Sequence, residues 1–163
     1  MDNWQRLNEI YRPLHENGCI LARTLRAQGF DVCLTYCNGH EIRRCGRWQT
    51  EYFPMPELKL QTAIGPADLG LRLDGSVWCE LHLSRARALK LDYSALSAAY
   101  GIEVYGAENY LEDFYHPSLC TEAVAARIAA SAEQDICIQA ELGDVPHAAD
   151  TMHSLLRTVE AAG

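Results

Sequence analysis

Apolar residues near the N-terminus recur every three to four positions from Trp4 to Leu25. This spacing places them on one face of a helix, and Pro13 interrupts the pattern, so the sequence predicts either two helices or one kinked helix. The final segment, residues 144–162, repeats the helical spacing. It predicts a C-terminal helix with Asp144 as its cap.

Residues 31–37 alternate apolar and polar side chains in the manner of a strand. Asn38-Gly39 follows directly, and this dipeptide is the strongest short signal for a β-hairpin turn. The pattern therefore predicts a first hairpin in which Cys37 and His40 face each other across the turn.

Residues 69–83 show the clearest alternation, with apolar residues at every second position on both sides of "DGS". A slip of one residue would move a whole apolar set into water. Keeping that set on one face requires a loop with an odd number of residues. The sequence thus predicts a second hairpin in which Leu73 pairs with Val77, Leu71 with Cys79, and Leu69 with Leu81.

The rest of the chain predicts helices before Gly101, over 107–115 and from Ser118, with short strands near 102–106 and 135–142. Helices at the two ends therefore enclose a series of strands. This order predicts a single α+β domain over residues 1–163. Its sheet is expected to be largely antiparallel, built from two hairpins plus short strands, and flanked by the N- and C-terminal helices.

Composition changes this picture little. The chain has 163 residues, of which 48% are hydrophobic and 22% charged, as in ordinary globular proteins. No apolar run approaches the length that spans a bilayer, and the N-terminus lacks a signal-peptide pattern. Seven cysteines without such a signal are typical of a reducing compartment. We expect a cytoplasmic protein with free cysteines that does not bind membranes.

Charge is distributed unevenly along the chain. Residues 1–102 contain 12 basic and 11 acidic residues, a net charge of +1, whereas residues 103–163 contain 2 basic and 11 acidic, a net charge of −9. The acidic part predicts a surface for a basic protein partner or charge complementarity within a homodimer. The alternative is that acidic helix faces simply contact solvent. A net charge of −8 disfavours nucleic acid as a partner.

Three cysteines and a histidine fall close together, at Cys33, Cys37, His40 and Cys45. On one strand Cys33 and Cys37 would lie about 13 Å apart, which is too far for one zinc ion. A Cys37–His40 pair could still form a reactive thiol, although a hairpin tip offers no walls to exclude water. A thiol or metal sensor over residues 37–45 is thus the weakest functional interpretation, and we predict no metal site and no cofactor.

The second hairpin carries a better candidate on the face opposite its leucines. The predicted register sets Asp68 across from His82, with Glu80 two residues away. A carboxylate facing an imidazole can orient it, and a second carboxylate can act as acid or base, so these three are candidate catalytic residues. Arg72 across from Trp78 could hold a planar or anionic ligand. The alternative is an ordinary polar sheet face exposed to water.

A third candidate is the aromatic and acidic segment over 107–115. If this segment is a helix, its aromatic and acidic side chains form separate faces suited to a basic or amphipathic partner segment. The alternative is that the aromatic side chains form the inner face of a short helix. The candidate partner-binding residues are Glu108, Tyr110, Glu112, Asp113, Phe114 and Tyr115.

The sequence therefore supports three functional hypotheses in a fixed order. The first is a small, non-enzymatic binding protein of the chaperone, adaptor or inhibitor kind that presents an acidic-aromatic surface to a protein partner. The second is a small-molecule enzyme of the hydrolase or isomerase type that uses Asp68, Glu80 and His82. The third is the thiol or metal sensor.

Overall fold

The computed structural model describes residues 2–37, 40–44, 47–51, 55–109 and 112–162, with the backbone alone described for Trp4, Cys37, 40–44 and 48–51. The helices within these ranges are α1 (Asn3–Ala27), α2 (Arg85–Ala88), α3 (Tyr93–Tyr100), α4 (Thr121–Ala130) and α5 (Val145–Ala161). The strands are β1 (Asp31–Cys37), β2 (His40–Arg44), β3 (Arg47–Glu51), β4 (Met55–Gln61), β5 (Pro66–Leu71), β6 (Ser76–Ser84), β7 (Glu103–Gly106) and β8 (Asp135–Asp144).

Six strands form one antiparallel sheet in the order β1-β4-β5-β6-β8-β7, while β2 and β3 pair separately. The strand pairing confirms the predicted α+β fold with a largely antiparallel sheet flanked by N- and C-terminal helices. The chain crosses over once beyond β6, so β8 lies between β6 and β7. This crossover brings residues more than 50 positions apart onto neighbouring strands.

One face of the sheet is the core face, and it is covered by α1 and α5. Alternate strand residues such as Leu69 and Leu81 point into it and are fully buried. Leu21 and Leu25 of α1 are also fully buried, as is Leu155 of α5. Because strand side chains alternate between faces, the intervening residues lie on the opposite side of the sheet.

The N-terminal helical region is one helix, because α1 continues through Pro13. The side chain of Asp2 accepts a hydrogen bond from the backbone N–H of Gln5, which forms a capping box at its start. At the other end of the chain, α5 begins after Asp144, as predicted. No helix among the described residues has both the length and the apolar character needed to traverse a bilayer.

The first predicted hairpin is wrong. β1 pairs with β4, so that Cys37 is opposite Met55, whereas β2 pairs with β3, so that His40 is opposite Glu51. Cys37 and His40 thus belong to two different sheets. Asn38 and Gly39 lie outside the described residues.

The second predicted hairpin exists, but its register is shifted by two residues. Leu71 pairs with Val77, and the backbone N–H of Arg72 bonds to the carbonyl of Ser76, leaving a three-residue loop over 73–75. The odd loop length is confirmed, and the predicted loop over 74–76 is wrong. Leu73 is consequently a loop residue with 52% of its surface exposed, not a member of the apolar face.

Candidate functional site

The face of the sheet opposite α1 and α5 carries a group of polar side chains, which we call the polar cluster. Three strands bring it together, because Cys137 of β8 pairs with His82 of β6 on one side and with Tyr105 of β7 on the other. The flanking residues Ile136 and Ile138 are fully buried in the core, so Cys137 projects to the other face. The polar cluster consists of Glu80, His82, Tyr105, Asp135 and Cys137.

His82 is the centre of the polar cluster. Its Nε2 atom lies 3.3 Å from Oε1 of Glu80, and its Nδ1 atom lies 3.1 Å from Oδ2 of Asp135. The Sγ atom of Cys137 is 3.6 Å from Nδ1 and 3.8 Å from Nε2. The hydroxyl of Tyr105 donates a hydrogen bond to Oε2 of Glu80. The imidazole is therefore held between two carboxylates with a thiol beside it.

The polar cluster is buried on one side and open on the other. Cys137 and Tyr105 are each 2% exposed, whereas the side chains of His82 and Glu80 are 26% and 24% exposed. Asp135 is more exposed still, at 46%. A small molecule or ion can therefore reach the imidazole and the carboxylates from solvent, with the thiol beneath them.

Burial and hydrogen bonding set the charges of this group. The pKa of His82 is raised by its hydrogen bonds with Cys137 and Glu80, against burial, which lowers it. Burial alone would raise the pKa of Glu80, but hydrogen bonds from His82 and Tyr105 bring it below the ordinary value. Burial raises the pKa of the Cys137 thiol, with His82 opposing that rise. With no metal bound, these interactions favour the protonated form of His82, the ionised form of Glu80 and the neutral form of the Cys137 thiol.

Asp68, the third candidate catalytic residue, lies at the edge of this group. It pairs with Glu80 on the adjacent strand, not with His82 as the predicted register had it. Partial burial raises the pKa of its carboxyl, with Lys59 opposing that rise and Glu80 adding to it. The structure therefore brings all three candidates onto one face but changes which carboxylates contact His82. These are Glu80 and Asp135.

Arg72 and Trp78, the predicted ligand-binding pair, are not opposite each other. Trp78 pairs with Gly70 and is 4% exposed, with its indole directly over the glycine, where a side chain would collide with the ring. Arg72 is 3% exposed, and its guanidinium donates two hydrogen bonds to Glu141, at 2.6 and 2.8 Å. Both side chains are committed to packing within the protein, so the predicted pairing is wrong.

The predicted helix over 107–115 is also wrong where the structure describes it. Residues 107–109 and 112–115 form no helix, and Asp113 instead makes a β-bridge to Tyr105. Phe114 and Tyr115 belong to the hydrophobic core, so they do not form an exposed aromatic surface. Glu108 is exposed, Glu112 and Asp113 are partly exposed, and Tyr110 lies outside the described residues. A partner-binding role for the acidic residues stays a prediction.

The sensor hypothesis for residues 37–45 rests largely on side chains that are not described. Cys45 lies outside the described residues, and only the backbone is described for Cys37 and His40. Among the cysteines with described side chains, Cys33 and Cys120 are exposed, and Cys79 and Cys137 are buried.

Sequence reasoning missed Tyr105, Asp135 and Cys137. The strand "DICIQAEL" was predicted, and its alternation indicates that Asp135 and Cys137 share a face. What no sequence pattern revealed is that β8 lies beside β6. That pairing depends on a connection through residues 85–134, which no local turn signal specifies.

Comparisons with known proteins support the fold alone. The sequence matches no protein-family model. A comparison with curated proteins also finds no match. Among solved structures, the chain is similar to a conserved hypothetical protein from Pyrococcus furiosus, with a TM-score of 0.71 and 20% sequence identity. The similarity covers 96% of this chain and 93% of that one. The architecture is therefore shared along nearly the whole chain, at a level of identity that carries no functional information.

Proposed function

We propose that this protein binds a small polar molecule at the polar cluster and acts on it by acid–base chemistry, as an enzyme of the hydrolase or isomerase type. One observation carries the proposal: His82 is held between Glu80 and Asp135 on a face that solvent can reach. An imidazole fixed by carboxylates is the usual arrangement for moving a proton to or from a bound molecule.

The surroundings of His82 suit this chemistry. The strands β6 and β8 hold the imidazole and the carboxylates on paired backbones, which gives more precise positioning than loops do. Tyr105 fixes the carboxylate of Glu80 from the buried side. Asp68 adds a further carboxylate on β5, opposite Glu80. A substrate placed over His82 would thus meet proton donors and acceptors from three adjacent strands.

The experiment that tests this proposal starts from a bound small molecule. We expect native mass spectrometry of the wild-type protein, incubated with an unfractionated small-molecule extract, to show a stoichiometric adduct. His82→Gln should lose the adduct, because a neutral amide replaces a protonated imidazole among the groups that would hold a polar molecule. Turnover of the adduct compound should fall about 10²–10⁴-fold, the usual contribution of a general acid or base.

His153→Gln is the matched control, because His153 lies on α5 and its ring contacts Phe30 instead of the polar cluster. This variant should retain both the adduct and the turnover. An adduct that persists unchanged in His82→Gln, or the absence of any adduct with the wild-type protein, would contradict the proposal.

A partner-binding protein remains the second candidate, and the charge distribution favours it. The net charge of −9 over residues 103–163 includes Glu108, which is exposed, and Glu112, which is partly exposed. A basic or amphipathic protein segment is the complementary partner, and assembly as a homodimer is part of the same hypothesis.

Reversing two charges tests this second candidate. Glu108→Lys combined with Glu112→Lys should weaken the binding of a synthetic basic amphipathic peptide by about tenfold or more, measured by fluorescence anisotropy at low salt. Wild-type binding should fall as salt rises, because exposed charges are screened. Glu9→Lys combined with Glu16→Lys on α1, both exposed, is the matched control with the same charge change. Equal binding by both double variants would exclude an acidic docking surface at this segment.

A further inference from the structure

We infer that Glu80, His82 and Cys137 form a binding site for one divalent metal ion of the zinc class. Their candidate ligand atoms are a carboxylate oxygen, an imidazole nitrogen and a sulfur, and all three lie within 4.8 Å of one another. Among the residues with described side chains, no other group of three histidine, cysteine or acidic residues is gathered this closely. This site is distinct from the cysteines at 33–45, which the sequence analysis weighed.

Two of the three separations between the ligand atoms are close to those of a tetrahedral site. Bonds of about 2.0–2.3 Å at tetrahedral angles place neighbouring ligand atoms about 3.3–3.6 Å apart. Nε2 of His82 lies 3.3 Å from Oε1 of Glu80 and 3.8 Å from Sγ of Cys137. The oxygen of Glu80 and Sγ of Cys137 lie within 4.8 Å of each other, so side-chain rotation would bring the three ligands around one ion.

Residues behind the ligands are placed as in known zinc sites. Asp135 lies against Nδ1 of His82, so Nδ1–H can donate to this carboxylate while Nε2 faces the other ligands. Binding of the metal would release the proton from Nε2 and the proton of the Cys137 thiol. Tyr105 donates to Oε2 of Glu80, which leaves Oε1 on the side of His82. Second-layer partners of this kind fix the orientation of a ligand and usually strengthen metal binding 10–100-fold.

The chemistry of the three ligands selects the metal. A thiolate with an imidazole favours zinc and related transition metals over Mg²⁺ and Ca²⁺, which prefer oxygen ligands alone. The thiol of Cys137 is 2% exposed and contacts the same imidazole as Glu80. Three protein ligands would leave a fourth position open to a water molecule or a substrate, and two of the ligands, His82 and Glu80, are partly exposed to solvent. Such an open position is typical of catalytic zinc sites.

The test is a direct metal titration, which measures no enzymatic activity and so does not depend on the proposed function. We expect calorimetry of the metal-free, reduced protein to show one Zn²⁺ bound per chain. Co²⁺ should give a thiolate-to-cobalt charge-transfer band. Cys137→Ala should abolish that band, and Glu80→Gln should weaken Zn²⁺ binding at least tenfold.

Cys19→Ala is the matched control, because Sγ of Cys19 also lies 3.6 Å from a histidine nitrogen, Nε2 of His15. Among the described residues, no carboxylate, histidine or further cysteine joins that pair as a third ligand. This variant should keep the wild-type affinity and the cobalt band.

Asp135→Asn provides a graded test, with an expected loss of about 10–100-fold in Zn²⁺ affinity at unchanged stoichiometry. Circular dichroism establishes whether each variant is folded. The inference is overturned if the wild-type protein binds no Zn²⁺, or if Cys137→Ala and Cys19→Ala, both folded, keep the same cobalt band. A metal ion on Nε2 of His82 would take the place of the transferable proton, so the acid–base proposal applies to the metal-free protein. It is tested separately, by adduct formation and turnover.

Discussion

Replacing Phe114 with alanine is expected to lower the free energy of unfolding by about 3–5 kcal/mol, the usual loss when a buried phenylalanine is truncated. Phe114 is 1% exposed and belongs to the hydrophobic core. Its backbone N–H bonds to the carbonyl of Val104, which holds the segment beside β7. Removing this side chain would therefore leave a cavity that the neighbouring residues can fill only in part.

Thermal and urea unfolding measure this loss, which corresponds to a decrease in melting temperature of roughly 6–20 °C for a chain of this size. Leu73→Ala is the control, because Leu73 lies in the 73–75 loop with 52% of its surface exposed. It should change stability by no more than about 0.5 kcal/mol. If Phe114→Ala is as mild as Leu73→Ala, then residues 112–115 do not pack as described.

For residues 69–83 the predicted odd loop length is confirmed and the predicted register is wrong, and both outcomes have one physical cause. Side chains in a strand alternate with a period of two, so the apolar pattern determines which face each residue occupies. Two registers that differ by two residues keep the same faces, and pattern alone cannot separate them. The loop itself decides: Gly75 has a positive φ of 82°, and the carboxylate of Asp74 accepts a hydrogen bond from the backbone N–H of Ser76.

The first hairpin shows the limit of local turn signals. Asn38-Gly39 favours a tight turn between adjacent strands, yet β1 finds its partner in β4. Val32 and Leu60 pair across these two strands and are both buried in the core. Burial of apolar side chains contributes more free energy than a preferred turn dipeptide, so the nonlocal pairing is the one that forms.

The helix predicted over 107–115 is wrong for a related reason. Its helical spacing was real in the sequence, but Phe114 and Tyr115 are adjacent and both buried in the core. The backbone bonds to β7 instead, with the N–H of Gly106 donating to the carbonyl of Glu112. Tertiary packing therefore overrides the local helix signal here.

Two residues of the polar cluster, Glu80 and His82, could be predicted from the sequence. The alternation in β6 placed Glu80 and His82 together on the polar face, because Leu81 between them has to be buried. Cys137 and Tyr105 join them only through the order β6-β8-β7. That strand order depends on the whole fold, and it places the thiol of Cys137 and the hydroxyl of Tyr105 beside Glu80 and His82.

Glu141→Ala is expected to lower the free energy of unfolding by about 3 kcal/mol, the lower end of the usual loss when one partner of a buried ion pair is removed. The lower end applies because the side chain of Glu141 is 43% exposed, whereas that of Arg72 is 3% exposed. Arg72 would keep its buried charge without the two hydrogen bonds it now donates to Glu141. Urea unfolding measures the loss.

A second substitution tests whether the unpaired charge of Arg72 causes the loss of stability in Glu141→Ala. Arg72→Leu in the Glu141→Ala background removes the buried charge and should restore a part of the lost stability, because an apolar side chain of similar volume replaces the guanidinium. Lys59→Ala is the control for an exposed pair, since Lys59 lies 3.9 Å from Glu57 and is itself largely exposed. It should change stability by less than about 1 kcal/mol. The opposite outcome is that the double variant is less stable than Glu141→Ala by the full loss that Arg72→Leu causes alone. The guanidinium would then stabilise the protein through packing, and Glu141 would not act by neutralising a buried charge.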